Sequence, residues 1–121
     1  MCLVMFGACL GGACRYGVNL LSVRLAGSGF PWGTLAVNLV GCLLIGLFFG
    51  LSERMEWLTP QVRLFFVTGF LGALTTFSSF AVETVNAANG GGMHLALLNF
   101  VFNNVGGLLL VFFGMWMAKA V

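Results

Sequence analysis

Gly69-Phe70-Leu71-Gly72-Ala73-Leu74-Thr75-Thr76-Phe77-Ser78-Ser79-Phe80 sets hydroxyls and aromatic rings in the middle of an otherwise apolar run from about residue 62 to residue 87. Such a run is long enough to cross a bilayer, for which roughly 17–25 predominantly apolar residues suffice. Hydroxyls in hydrocarbon cost free energy unless they are hydrogen-bonded. A single Ser or Thr in mid-helix bonds back to the preceding turn. Thr75, Thr76, Ser78 and Ser79 fall within one short window, and four such groups ask for more than that. Gly69, Gly72 and the Thr-Thr pair also weaken the helix just before the aromatics, and the run is longer than a straight span needs. The stretch therefore predicts a membrane helix broken near Gly72 to Thr75, with backbone carbonyls released toward a ligand or ion.

Three further spans surround it, at about 2–23 (interrupted by Arg15), 32–51 and 94–118. Only 7% of the 121 residues are charged, against about 25% in a soluble domain. The expectation is an all-α membrane protein with four transmembrane helices, a single domain over 1–121, lying in the bacterial inner (plasma) membrane as a multi-pass protein. Residues 26–31 and 89–92 read as Gly-rich turns, and Thr59-Pro60 as a helix start with Thr as cap. Trp32, Trp57 and Trp116 fall near span ends, where interfacial anchors belong. Met1-Cys2-Leu3-Val4 lacks the basic start of a cleaved signal peptide. Cys2, Cys9, Cys14 and Cys42 form no CxxC pair and read as small buried fillers, and His94 as an interfacial histidine. No side chains are placed as a nucleophile–base pair, so an enzyme is not expected, nor is a nucleic-acid partner. Arg54, Arg63 and Lys119 share one side of the membrane and Arg24 the other, with Glu53 beside Arg54. That positive-inside bias is weak, and insertion in both orientations is open.

The remaining in-span polar groups point to an anion path. Asn38 offers two N–H donors and an acceptor; read blandly, it is interhelical glue. Asn99 and Asn103 stack on one face of the fourth span, with Asn104 beside them. Phe77 and Phe80 share a face at helical spacing, with Thr76, Ser79 and Glu83 on the adjoining stripe. Gly7–Gly11 and Gly46–Gly50 are small-xxx-small motifs for close helix packing. Arg15 is costly in a span, and structural or orientation-setting use weighs at least as much as substrate contact. No aspartate occurs, and Glu83 is the one in-span carboxylate. Cation routes favour acidic rings or carbonyl filters, whereas anion routes favour N–H and O–H donors. Ring edges of Phe77 and Phe80 add partial positive charge. The combination suits a narrow, donor-lined route for a small anion.

Three ordered stretches resemble the Fluc/CrcB-type fluoride channels over essentially the whole chain. Gly7-Ala8-Cys9-Leu10-Gly11-Gly12-Ala13-Cys14-Arg15-Tyr16 is similar to GGxxGAxxRY, with Ala8 and Gly12 departing from the usual Gly and Ala. Gly33-Thr34-Leu35-Ala36-Val37-Asn38-Leu39-Val40-Gly41 resembles GTLxVNxxG. Residues 69–80 resemble GFxGGxTTFSTF, with Ala73 for a Gly and Ser79 for a Thr, and Glu83 matches a Glu that often follows. The resemblance implies an antiparallel, dual-topology homodimer with two pores, each lined by both subunits. It implies Asn38 as the pore-facing amide, Phe77 and Phe80 as an aromatic box, and Ser78, Ser79 or Thr76 as a hydroxyl track. One central Na+ is implied at the backbone carbonyls of about Gly72 and Thr75 from both subunits. Arg15 is implied toward a vestibule or the dimer interface. In the fourth span, where the family's polar positions vary, Asn103 is the position expected beside the path.

The function expected is a passive, fluoride-selective channel that lets cytoplasmic fluoride out. Fluoride, a second copy of the chain and the lipid bilayer are its expected partners. One alternative is a small dual-topology multidrug-type transporter, but those use a carboxylate in the first span, where this chain has Arg15. The other is a non-conducting membrane subunit in which Asn38 and the hydroxyls are packing glue.

Overall fold

A computed structural model describes residues 1–52 and 54–120. Glu53, expected to soften the charge beside Arg54, lies outside the described residues, as does Val121. The described chain is helical: α1 Cys2–Ala26, α2 Trp32–Ser52, α3 Pro60–Asn89 and α4 Met93–Ala120. All four are long and apolar enough to cross a membrane, as a multi-pass protein requires.

Helix ends run a little beyond the expected spans, because local caps set them. α1 continues to Ala26 and stops at Gly27, whose φ of 75° suits only glycine comfortably. α3 starts at Pro60, and the Thr59 hydroxyl oxygen accepts the Val62 N–H at 3.4 Å, as the Thr-Pro pair predicts. Gly91, at φ 81°, turns the chain from α3 into α4.

α3 is not uniform. Leu64–Leu71 is wound wide, with π-type i→i+5 bonding, and Gly72–Leu74 adds a last α-turn. Thr75 (φ −81°, ψ 154°) and Thr76 (φ −152°, ψ 114°) are then extended, and the second half runs Phe77–Asn89. The break thus falls at Thr75-Thr76, while Gly72, expected within it, is helical (φ −61°, ψ −33°). Capping decides this. Thr76 Oγ1 accepts the Ser79 N–H at 3.2 Å, and an N-cap residue must leave helical dihedrals to do so. Gly72 costs its helix something but caps nothing.

α1 packs on the first half of α3, residues 60–74, and α2 on Gly107–Ala120 of α4. Both small-xxx-small motifs serve those contacts. Gly7 and Gly11 press on the backbone at Phe65, Gly69 and Phe70, and Gly46 and Gly50 on Val111 and Met115. Without Cβ atoms the backbones close up and gain dispersion contact. Val37, Leu71 and Leu74 form the buried centre, with Phe66 and Phe70 against it. The second half of α3 pairs instead with Met93–Val101 of α4, so the break lets one helix serve two partners.

The cysteines depart from expectation. They are free, but Cys2, Cys9 and Cys14 are exposed on α1 and Cys42 is half-buried. Gly7 and Gly11 are the buried residues of α1, so its other faces point outward and carry the thiols with them.

Candidate functional site

The break is held open by Asn38. Its Oδ1 accepts the Thr76 N–H at 2.8 Å, and its Nδ2 donates to the Thr76 carbonyl at 3.2 Å. The break costs four helical bonds, from the N–H groups of residues 76–79 to the carbonyls of residues 72–75, and two of the donors find new partners. The Thr76 N–H would have met the Gly72 carbonyl, and the Ser79 N–H the Thr75 carbonyl; the first now goes to Asn38 and the second to Thr76 Oγ1. The carbonyls of Gly72, Ala73, Leu74 and Thr75 are thereby released from their i+4 donors. Thr75 Oγ1 bonds back to the Leu71 carbonyl at 3.0 Å.

A cleft of about 340 Å³ opens over this break. Asn38, Gly72, Thr75, Thr76, Phe77, Phe80 and Asn103 all line it, with Cys42 and Asn104 at its wall. The Phe77 and Phe80 rings lie 5.5 Å apart, tilted at 58°. Phe80 is buried (6% exposed) against Phe100, whereas Phe77 is 76% exposed.

Behind the cleft runs a chain of amides. Asn38 Nδ2 donates to Asn103 Oδ1 at 2.8 Å, and Asn103 Nδ2 to both the Asn99 carbonyl and Asn99 Oδ1 at 2.9 Å. Asn99, 1% exposed, donates to Thr84 Oγ1 at 2.9 Å, and Thr84 Oγ1 to the Phe80 carbonyl at 2.7 Å. Asn103 and Asn104 sit in a second wide turn, Phe102–Gly106, the kind of π-bulge that recurs at functional sites. A second, more polar cavity of about 450 Å³ lies at the end of the bundle where the α1–α2 and α3–α4 turns meet, with Asn19, Ser22, Glu83 and Asn86 in its wall. Behind that wall Thr34 Oγ1 donates to Glu83 Oε1 at 2.7 Å, while Glu83 Oε2 is buried with no hydrogen-bond partner among the described residues.

Comparison with known proteins decides the family. The family description "CrcB-like protein, Camphor Resistance (CrcB)" matches residues 2–115. The chain belongs to the CrcB family. Its CrcB relatives include a protein of Azobacteroides pseudotrichonymphae genomovar. CFP2, 41% identical over 112 residues, 93% of this chain and 90% of the relative. Another, from Agrobacterium fabrum strain C58, is 43% identical over 117 residues, 97% of this chain and 94% of its own. A third, from Chlorobium phaeobacteroides strain BS1, is 42% identical over 117 residues, 97% and 91%. All three carry the name fluoride-specific ion channel FluC. CrcB is thus a family of ion channels and not of enzymes.

Of the residues singled out in the sequence, the cleft gathers Asn38, Thr76, Phe77, Phe80, Gly72 and Thr75 from the CrcB motifs and Asn103 from the fourth span. Ser78 and Ser79 stand outside its lining. Ser78 is exposed with its hydroxyl 3.4 Å from Thr76 Oγ1, and Ser79 Oγ accepts from Thr76 Oγ1 at 3.0 Å. Glu83 lies in the polar cavity, and Arg15, half-buried on α1, lines neither space. Sequence reading passed over Thr34 and Thr84 and took Cys42, which lines the cleft, for a buried filler. Thr34 stands one turn before Asn38 on the same face, and that spacing was the available signal.

Proposed function

We propose that this chain is a passive, fluoride-selective channel of the bacterial inner membrane, exporting cytoplasmic fluoride through two pores of an antiparallel, dual-topology homodimer. One observation carries the reading: Asn38, Phe77 and Phe80 converge on a single cleft at the helix break, in a chain more than 40% identical to proteins named fluoride-specific ion channels. Fluoride is small and strongly hydrated, so replacing its water calls for close N–H, O–H and ring-edge donors. The cleft supplies those groups on one wall only. The exposure of Phe77, and of Leu3, Met5 and Phe6 on α1, favours a second copy as the other wall.

A structural Na+ fits the break. Na+ is a hard cation suited to neutral oxygen ligands, and the carbonyls of Gly72 and Thr75 are two of the four that the break releases. Two copies meeting there would offer four such oxygens. The ion would tie the two breaks together and add positive charge beside the anion path.

The decisive test is flux. Purified protein in liposomes under a fluoride gradient releases fluoride rapidly, with negligible chloride release under a matched chloride gradient. No fluoride release, or equal chloride release, rejects the assignment.

A further inference from the structure

Glu83 is only half satisfied by its own subunit. Thr34 donates to Oε1, and Oε2 is buried without a partner among the described residues. The break in α3 falls at the middle of Pro60–Asn89, and Glu83 stands six residues beyond Phe77, the first residue of the second half. That is about 9 Å along the helix axis, still inside the hydrocarbon layer, whose boundary lies about 15 Å from the midplane. A carboxylate there without a counter-charge is costly. A proton on Oε2 would exchange an orphan acceptor for an orphan donor. A cation beside the group answers the charge itself.

The polar cavity at the turns offers a place for one. Its wall carries Glu83, the amides of Asn19 and Asn86 and the hydroxyls of Ser22 and Ser28, and no basic side chain. Phe30 and Trp32 also line it, their rings 4.6 Å apart and tilted at 52°, with Trp32 47% exposed. Aromatic faces attract cations, indole most strongly. The volume, about 450 Å³, is that of a small-ligand site and far exceeds a bare metal ion. The described residues also hold no cluster of three metal-ligating side chains. A quaternary ammonium would suit the rings but brings no N–H for the amide and hydroxyl oxygens. A primary ammonium brings three donors and a carbon chain for the rings.

We propose that this cavity binds a primary ammonium, with Glu83 as its counter-ion, Asn19 and Asn86 as polar partners and Trp32 as its aromatic wall. The site shares no wall residue with the cleft at the break, so its occupancy is read without reference to flux. Two sources carry that chemistry: a small amine in solution, and the ethanolamine headgroup of a phospholipid in the adjoining leaflet. The cavity runs inward from the turns that end α1 and α3, a depth that either can reach.

The test uses the whole ¹⁵N-labelled protein in phosphatidylcholine nanodiscs. Ethanolammonium chloride shifts the side-chain amide signals of Asn19 and Asn86 and the indole N–H of Trp32 to saturation. Choline chloride and potassium chloride at the same concentrations leave them in place. Glu83→Gln keeps an acceptor for Thr34 but loses the charge, and its affinity for ethanolammonium falls about tenfold or more, the scale of a hydrogen bond to a charged group. Trp32→Leu, read on Asn19 and Asn86, weakens binding about threefold, as loss of a cation–π contact at a partly exposed ring should. Replacing half of the phosphatidylcholine with phosphatidylethanolamine separates the sources. Signals that begin at their shifted positions, and do not in Glu83→Gln, identify the lipid headgroup. Signals that begin at the phosphatidylcholine positions and still respond to added amine identify a soluble amine. No saturating response to ethanolammonium in phosphatidylcholine overturns the site, as does an equal response to choline or potassium, or wild-type affinity in Glu83→Gln. If Glu83→Gln does not fold, wild-type affinity in Trp32→Leu overturns it instead.

Discussion

Asn38 and Thr76 are joined twice, amide oxygen to backbone N–H at 2.8 Å and amide nitrogen to backbone carbonyl at 3.2 Å. One side chain of α2 thus replaces the backbone pairing that α3 gives up at its break. The Asn38→Leu variant leaves the Thr76 N–H without a partner in a site where Thr76 is buried, while the Thr76 carbonyl, as that of an N-cap residue, keeps its bond from the helix that follows. It lowers stability by about 2 kcal/mol, between the soluble cost of orphaned backbone groups and the smaller values found in membranes. Thermal unfolding in detergent reads the loss. Fluoride flux falls with it, because the same substitution removes the amide from the cleft.

Phe77 and Phe80 separate structure from conduction. Phe77→Ile alters an exposed ring, so the melting temperature stays close to wild type while fluoride flux falls. Phe80→Ile opens space in a buried site beside Phe100 and costs about 1–3 kcal/mol by loss of packing, in addition to flux. Unchanged flux in both variants would remove the aromatic box from the path.

Neighbouring glycines in α1 have opposite tolerances. A Cβ at Gly11 meets the Phe70 backbone, whereas one at Gly12 meets nothing within 4 Å. Gly11→Val forces α1 away from α3 and costs about 1–3 kcal/mol or more through overpacking. Gly12→Ala relieves a mid-helix glycine and gains about 0.5 kcal/mol. Melting curves of the two variants check the contrast.

Thr34 gives Glu83 its one hydrogen bond among the described residues, at 2.7 Å, and Oε2 has none. Thr34→Val leaves the carboxyl group with no donor and lowers stability by about 1.5–3 kcal/mol, the cost of losing a bond to such a group. Thr34→Ser retains the hydroxyl and stays within about 0.5 kcal/mol of wild type. Equal melting temperatures for the Val and Ser variants would show that the bond carries no stability.

What could be read from the sequence followed the range of the interactions. Thr59-Pro60, the glycine turns and the four spans depend on neighbouring residues, and they stand where local chemistry put them. The presence of a break in α3 was legible because hydroxyls and glycines crowd one window. Its position was not, because Thr76 is held extended by Asn38, a partner 38 residues away. Longer separations, 49 and 65 residues, hid Thr34 from Glu83 and Asn38 from Asn103. The wide turns at Leu64–Leu71 and Phe102–Gly106 carry no composition signal, since their apolar and amide residues suit an ordinary helix equally well. The cysteines were misplaced for a related reason: apolar character in a span does not say whether a face meets protein or lipid.

The proposed Na+ site has a test that distinguishes carbonyl ligands from side chains. With the Gly72 and Thr75 carbonyls as the ligands, exhaustive exchange of the purified protein into Na+-free buffer lowers its melting temperature and its fluoride flux, and returning Na+ restores both. Thr75→Val removes a hydroxyl that bonds only to the Leu71 carbonyl but leaves the backbone oxygen in place, so the Na+ dependence persists in that variant. Gly72→Ala is the sharper probe. Within one subunit the nearest atom to the added methyl is the Val67 carbonyl oxygen, an ordinary contact at 3.7 Å. The variant chain therefore folds, and loss of Na+ dependence in Gly72→Ala reports a second copy closing on the same point. If neither melting temperature nor flux responds to Na+ in the wild type, the released carbonyls are met by water or by the partner's donors, and the ion is not part of the protein.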